Sequence, residues 1–146
     1  MKVVSLLLSI VFLSMLPSSS QAQNAEEAAA RVPLENYIKA QATGQGDYIR
    51  KAFHPDARIM FFRDGKFQSL TVEEFAGRFN GKPAADEASR KRRIESIEIT
   101  GNAGIAKIVL EYPQVKFTDY MSLLKIDGEW KIVNKSFYGE PKAAKP

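Results

Sequence analysis

Alternating apolar and polar side chains run through the C-terminal third of the chain, and this period of two predicts β-strands. Three consecutive segments carry the pattern: Ile105–Tyr112, Val115–Asp127 and Glu129–Tyr138. The last two meet at Asp127-Gly128, a pair that is typical of tight hairpin turns. We therefore expect these segments to lie side by side in one antiparallel sheet.

The N-terminal half of the chain has helical spacing instead. Apolar residues recur every three to four positions and predict a first helix that is firm over Leu34–Ala42, with Pro33 in its first turn. Asp47 is suited to cap a second, short helix over Tyr48–Phe53. Proline disfavours helical geometry in the residue before it, so the His-Pro pair that follows ends this helix.

A hairpin, a third helix and a further strand are predicted between these two regions. Arg58–Arg63 and Phe67–Leu70 flank an Asp-Gly turn and form the hairpin. A threonine followed three residues later by a glutamate is a capping box, which opens a helix over Thr71–Phe79. Arg92–Thr100 predicts another strand. The element order predicts an α+β fold, a curved antiparallel sheet wrapped around N-terminal helices, with a hollow that is the default place for a ligand.

The start of the chain is typical of a cleavable export signal. A basic first turn precedes an apolar run over Val3–Leu16 and a small-x-small site at Ser20–Ala22. We predict a signal peptide over residues 1–22, a single domain over 23–140 and a flexible tail over 141–146. The alternative is an uncleaved anchor helix. The predicted location is periplasmic or secreted, with no membrane attachment after cleavage.

Composition narrows the chemistry. The 146 residues include no cysteine and one histidine, which excludes cysteine nucleophiles and most zinc sites, and we predict no metal and no cofactor. The formal net charge of +4 is too small to indicate a nucleic-acid partner. The basic run Arg90–Arg93 is interpreted as a solvated strand entry, and an acidic ligand or anionic membrane surface is the alternative.

Asp119, in the middle of a predicted strand, is the main candidate for chemistry. It shares a face with Phe117, Met121 and Leu123, and this apolar face is expected to point inward. A carboxylate in an apolar cavity is suited to proton transfer. The alternative is that Asp119 is paired with a nearby lysine or arginine, or accepts hydrogen bonds from a neighbouring turn.

Strict alternation along the last strand assigns its two faces. Trp130 and Asn134 fall on the side expected to line the hollow, as candidate ligand-binding residues. The opposite face, expected to be convex, carries Lys131, Val133, Lys135 and Phe137. Together with Val109 this outer face is apolar enough to predict a homodimer.

Four further residues complete the candidate site. His54 is the only possible histidine base, and its alternative role is to end the short helix. Arg63 ends a strand, where it would neutralise an anionic ligand or be solvated. Tyr112 is expected at the rim of the hollow, and Tyr120 lies beside Asp119.

Several sequence blocks resemble a known family. They are Phe53–Ala57 (FHPDA), Gly101–Ala103 (GNA) and above all Phe117–Phe137 (FTDYMSLLKIDGEWKIVNKSF). These blocks resemble the putative lumazine-binding family of the nuclear transport factor 2-like superfamily, which includes the SnoaL-like cyclases and ketosteroid isomerase. The likeness covers roughly residues 30–140. It implies a cone-shaped α+β barrel and a pteridine-like ligand.

Two functions are compatible with these observations. The first is an exported domain that binds a small apolar, aromatic or pteridine-like ligand without catalysis. The second is a cofactor-free isomerase, cyclase or dehydratase that acts on an apolar ring compound. In the second, Asp119 or His54 is the base, and Tyr120, Tyr112 or Asn134 stabilises an enolate-like oxygen.

Overall fold

The structure, a computed structural model, describes residues 19–143. Within these residues the α-helices are α1 (Ser19–Thr43), α2 (Asp47–Ala52) and α3 (Val72–Ala76). The strands are β1 (Phe53–Arg63), β2 (Lys66–Thr71), β3 (Lys91–Thr100), β4 (Ala103–Glu111), β5 (Val115–Ile126) and β6 (Glu129–Pro141). One 3-10 turn, Glu87–Ser89, precedes β3.

All six strands belong to one sheet, in the order β2-β1-β6-β5-β4-β3. Every neighbouring pair is antiparallel except β1 and β6, which run parallel. The helices pack on one face, with α1 against β3 and β6 and α3 against β1. The predicted α+β class, a curved sheet around N-terminal helices, is confirmed, and the parallel pair makes the sheet mixed.

Helix α1 is longer than the sequence predicts, because it continues through Pro33 instead of starting there. Proline inside a helix removes one hydrogen bond and costs about 3 kcal/mol. The helix buries Ala30 and Leu34, on either side of this proline, and also Tyr37 and Ala40, all completely. Burial of this apolar stripe on the sheet offsets the local cost.

The capping box of α3 forms as predicted. The Glu74 amide donates to the Thr71 hydroxyl (3.2 Å), and the Thr71 amide donates to the Glu74 carboxylate (2.7 Å). The helix ends at Ala76, earlier than predicted. It brings Phe75 into ring contact with Tyr37 of α1 at 6.5 Å between centroids, next to the sheet.

Strand β6 carries a β-bulge at Val133. On β5, Ser122 and Leu123 are consecutive, but their partners on β6 are Asn134 and Ile132. Val133 is therefore an extra residue on β6 with no partner of its own. A bulge of one residue reverses which side chains face inward along the rest of the strand.

After the bulge, the side chains of β6 that face inward are those that strict alternation would place outward. Lys135 is 3% exposed, and Phe137 packs against the buried core, whereas Tyr138 is 68% exposed. The expectations that Asn134 points inward and that Lys135 and Phe137 point outward are wrong, because strict alternation was assumed across Val133. Before the bulge, Trp130 lies on the inner face as expected and is 5% exposed.

The predicted signal peptide falls largely on residues 1–18, outside the described residues, and stays a prediction. Residues 19–22 form the first turn of α1. At the other end, β6 reaches Pro141, and the Lys142 amide donates to the Gln114 carbonyl oxygen (2.9 Å). Residues 144–146 are outside the described residues. Between residues 19 and 143, none of the helices is long and apolar enough to cross a bilayer.

Candidate functional site

A cavity of about 150 Å³ lies between α1, α3 and the concave face of the sheet. Its walls are largely aromatic and aliphatic, from Phe75, Leu110, Phe117 and Phe137. Its polar lining comes from Tyr37, Gln41, Arg63, Arg78, Tyr112, Asp119 and Lys135. A few converging polar groups in an apolar hollow are the usual composition of a small-molecule site.

A buried ion pair forms the polar centre of this cavity. Lys135 Nζ lies 3.3 Å from Asp119 Oδ1, and the two side chains are 4% and 0% exposed. The Tyr37 hydroxyl donates to Asp119 Oδ2 at 2.5 Å. Within residues 19–143, Asp119 Oδ1 has no hydrogen bond besides this ion pair. The carboxylate is therefore held on one oxygen by α1 and is neutralised on the other by β6.

Strand register brings the two charges together. Asp119 on β5 is opposite Phe137 on β6, and Lys135 is opposite Met121. Asp119 and Lys135 are thus diagonal neighbours on one face of adjacent strands, a spacing that long side chains bridge. They share this face only because the bulge at Val133 turns Lys135 inward. The structure therefore gives Asp119 both its expected inner position and the paired lysine that was its alternative.

Burial shifts the pKa values of two groups next to Asp119, the Lys135 ammonium and the Tyr37 hydroxyl. It lowers the pKa of the Lys135 ammonium, because the charged form is desolvated, although Asp119 opposes the shift. It raises the pKa of the Tyr37 hydroxyl well above its usual value, and the adjacent Asp119 charge adds to this shift. Tyr37 is therefore a neutral hydrogen-bond donor to the carboxylate at neutral pH.

The Lys135 ammonium has more donors than the protein uses. It carries three N–H groups, and Asp119 is its one carboxylate partner within residues 19–143. Its nitrogen also lies 3.9 Å from the centroid of the Phe137 ring, with the Tyr37 and Phe75 rings farther away at 5.4 Å and 5.5 Å. Cation–π contacts compensate part of the desolvation. The cavity side of the ammonium is left for an acceptor that the described residues do not supply.

Tyr112 forms a second polar position in the same cavity. Its hydroxyl donates to Gln41 Oε1 (3.2 Å) and accepts from Arg92 Nε (3.4 Å). The Arg92 guanidinium also binds both oxygens of Glu87, and its side chain is 5% exposed. The basic run was interpreted as solvated, and this is wrong for Arg92, because the 3-10 turn places a carboxylate over it. Burial raises the pKa of the Tyr112 hydroxyl.

The mouth of the cavity is positively charged. Arg63 and Arg78 line the cavity and also a wider cleft of about 350 Å³ that includes Lys66 and Asp64. Three cations and one carboxylate at this opening favour an anionic group on an entering molecule. The guanidinium of Arg63 lies 5.1 Å from the centroid of the Phe61 ring, which holds it at the end of β1.

Three of the residues predicted from the sequence, Asp119, Tyr112 and Arg63, meet in this cavity. The structure places Tyr120 on the outer face, 55% exposed. Asn134 donates to the Arg58 carbonyl oxygen (3.3 Å), so it braces β1 and does not face the cavity. These two positions follow from strand alternation and from the bulge.

His54 and Trp130 also lie outside the cavity. His54 Nδ1 accepts the Asp56 amide (3.2 Å), a local turn contact at the start of β1. Trp130 Nε1 donates to Glu26 Oε2 (3.0 Å) beneath the first turns of α1. It borders a separate surface pocket with Val32 and Lys131. Neither residue can act on a molecule held at Asp119.

Sequence reasoning missed Tyr37, Gln41 and Lys135. Tyr37 falls within the helix predicted over Leu34–Ala42, where it was treated as one of the apolar residues. A buried phenol needs a hydrogen-bond partner, and this signal could have pointed to an inward carboxylate. Lys135 gave no such signal, because an isolated lysine in an alternating strand is typical of a solvated face.

The ion pair generates a stability prediction. Asp119→Asn leaves Lys135 without a countercharge and should lower the free energy of unfolding by roughly 3–5 kcal/mol at neutral pH. The loss should shrink at alkaline pH. Lys135 has a lower pKa in the folded state than in the unfolded state, so between these values the unfolded chain binds more protons and stability rises with pH. Chemical denaturation at both pH values measures this.

The matched control replaces the whole pair. The double variant Asp119→Leu with Lys135→Met removes both charges together. Its free energy of unfolding should therefore recover most of what Asp119→Leu or Lys135→Met loses alone. Losses that simply add in the double variant would contradict an energetic coupling between Asp119 and Lys135.

Solved structures of other proteins share this fold. A crystal structure of an NTF2-like protein from Shewanella baltica has a TM-score of 0.73 at 24% identity, covering 87% of this chain and 100% of that one. One from Methylobacillus flagellatus has a TM-score of 0.67 at 29% identity, covering 80% and 93%. Both are described as proteins of unknown function.

One curated relative has a named activity. Aldolase FrzH from a Cladobotryum species is 29% identical over 108 residues, which are 73% of this chain and 85% of that protein. A family model described as "Putative lumazine-binding" matches residues 25–138. The chain belongs to this putative lumazine-binding family, within the NTF2-like superfamily.

Proposed function

We propose that this protein is an exported small-molecule-binding domain and that the ligand enters the cavity at Asp119 and Lys135. The observation that carries the proposal is the incomplete polar centre of that cavity. Among the described residues, Asp119 Oδ1 has no hydrogen bond besides its ion pair with Lys135, and Lys135 has N–H groups without an acceptor. Buried polar groups are almost always satisfied, and an oxygen atom of a bound molecule would accept from the remaining N–H groups of Lys135. The family description supports ligand binding in general.

The cavity selects for a small ligand. A volume of about 150 Å³ matches that of an engineered cavity that binds one benzene ring. A pteridine has two fused rings and would have to extend past Arg63 and Arg78 into the outer cleft. Aromatic walls favour a flat ring, Lys135 favours an oxygen acceptor, and the charged mouth favours an anion. The ligand class is therefore a single-ring or similarly small compound with a carbonyl or carboxylate group.

Binding can be tested with benzoate and lumazine as probes in titration calorimetry. Benzoate should bind more tightly than lumazine, because its single ring fits the cavity. Arg63→Ala combined with Arg78→Ala should weaken benzoate roughly three- to tenfold, since exposed charge pairs contribute up to about 1 kcal/mol each.

Arg58→Ala is the matched control, because this exposed arginine of β1 donates to two nearby backbone carbonyls and does not line the cavity. It should leave benzoate affinity unchanged. The proposal fails if neither probe binds and native mass spectrometry of protein from the exporting host finds no copurified small molecule.

A cofactor-free enzyme is the second candidate function. One observation favours it, namely that Asp119 shares the cavity with the phenols of Tyr37 and Tyr112, and the similarity to an aldolase supports it. Asp119 would remove a proton from the carbon next to a ring carbonyl. The C–H bonding electrons would move to the carbonyl oxygen, and Lys135 would stabilise the resulting enolate. His54 is too remote from the cavity to serve as the base.

Hydrogen–deuterium exchange into cyclohexanone, followed by NMR, tests this second function. Asp119→Asn should slow exchange by about a hundredfold or more, the usual contribution of a positioned base. Asp56→Asn is the control, because Asp56 is an exposed carboxylate beside His54 and outside the cavity. Equal exchange rates for the native protein and Asp119→Asn would exclude Asp119 as the base and leave ligand binding as the remaining function.

We also propose a homodimer through the outer face of the sheet. Lys135 and Phe137, which the sequence assigned to this face, point inward instead. Its exposed apolar residues include Ile105 (57%), Tyr120 (55%), Leu124 (38%) and Tyr138 (68%). Such a patch favours association with a second copy.

Light scattering coupled to size exclusion tests the dimer. Tyr120→Lys should convert a dimer to a monomer, whereas Val32→Lys should not, because Val32 is equally exposed but lies on α1. A native protein that is monomeric at micromolar concentration would contradict this proposal.

A further inference from the structure

We propose that Lys135 binds aldehydes or ketones covalently, as a reversible imine on its side-chain nitrogen. The inference rests on the proposed function, because it places a carbonyl compound in the same cavity. It also gives Lys135 a covalent role and limits the substrates to aldehydes and ketones. Neither binding nor proton abstraction requires this. The geometry points to this role through the position of Nζ, its surroundings and its single charged partner.

The position of Lys135 suits attack on a carbonyl group. Its nitrogen borders the cavity and is surrounded by the Phe137, Tyr37 and Phe75 rings at 3.9–5.5 Å. The residue lies on β6, where it is paired with Ile59 of β1 and Met121 of β5, so its backbone is held from both sides. A single-ring aldehyde that fills the cavity would bring its carbonyl carbon near this nitrogen.

The buried surroundings make the amine more reactive than a surface lysine. Burial lowers the pKa of Lys135, which raises the neutral fraction that can attack a carbonyl. Asp119 is close enough, at 3.3 Å, to accept the ammonium proton directly. Transfer of that proton gives a neutral amine beside a carboxylic acid and removes two buried charges.

The reaction balances with the groups present. The ammonium first gives a proton to Asp119, and the nitrogen lone pair then forms a C–N bond to the carbonyl carbon. One N–H proton moves to the former carbonyl oxygen, which gives a carbinolamine. Asp119 returns its proton to that hydroxyl, the C–O bond breaks, and water leaves. The product is a protonated imine and the Asp119 carboxylate, with no oxidant or reductant involved.

Charge is conserved around Asp119 in this sequence. The protonated imine carries the same positive charge as the ammonium that it replaces. The buried carboxylate therefore keeps a countercharge before and after reaction, and Tyr37 continues to donate to its other oxygen. A neutral adduct would instead strand the Asp119 charge in the apolar cavity.

The test traps the imine with benzaldehyde and cyanoborohydride, followed by intact mass measurement and peptide mapping. At neutral pH and limiting aldehyde, one benzyl group should appear on Lys135. Its rate should exceed that of Lys131, a partly exposed lysine on the same strand paired with Glu129, by roughly tenfold or more. The rate at Lys135 should level off at a pH below the usual pKa of a lysine side chain.

Two variants keep the test decisive. Lys135→Arg retains a cation beside Asp119 but cannot form an imine, so a folded variant should lose the fast modification, whereas Lys131→Met should retain it. In the native protein, benzoate should slow the benzylation of Lys135 and leave that of Lys131 unchanged. Modification spread evenly over the lysines, or unchanged in Lys135→Arg, would overturn the inference.

Failure of this inference can be distinguished from failure of the binding proposal. If benzoate binds with the predicted dependence on Arg63 and Arg78 but Lys135 is not trapped, the imine is excluded and binding stands. If benzoate neither binds nor protects and Lys135 is not trapped, both proposals fail.

Discussion

The arrangement of the concave face depends on one buried pair of opposite charges. Asp119 and Lys135 occupy the centre of the concave face, where each charge alone would be costly to remove from water. Their attraction, the hydrogen bond from Tyr37 and the aromatic rings around the ammonium compensate that cost. The three residues come from α1, β5 and β6, so the same contacts that neutralise the charges also join the helix to the sheet.

A buried ion pair does not by itself indicate a gain in stability, because apolar residues of the same size often give an equally stable protein. The cavity beside it gives a better reason for its presence. A carboxylate, an ammonium and two phenols at the edge of an aromatic hollow supply a hydrogen-bond acceptor, donors and a base within a small volume. A purely apolar core of the same shape would offer a ligand no preferred orientation.

Much of the fold follows from local sequence. Alternation predicts the strands, Thr71 and Glu74 predict the start of α3, and the apolar neighbours of Asp119 predict its inward direction correctly. These are near-range effects, which propensity and periodicity describe well. The site as a whole requires long-range information, because Tyr37 reaches Asp119 across 82 positions of sequence.

Arg92 illustrates the same limit on the other side of the cavity. Its place in a basic run is typical of a solvated strand end, yet a short turn puts Glu87 over it and it helps to orient Tyr112. The pairing depends on how the loop before β3 folds back. Residue type and spacing alone carry no signal for that geometry.

The extra residue at Val133 also bears on how relatives should be compared. Removal of one position there would leave the residue types of β6 almost unchanged but would exchange its two surfaces. The hollow would then be lined by an amide, a hydroxyl and a phenol, and the lysine would reach water. Homologous chains with similar letters in this strand can therefore carry different chemistry, and a gap of one position in an alignment marks the boundary between them.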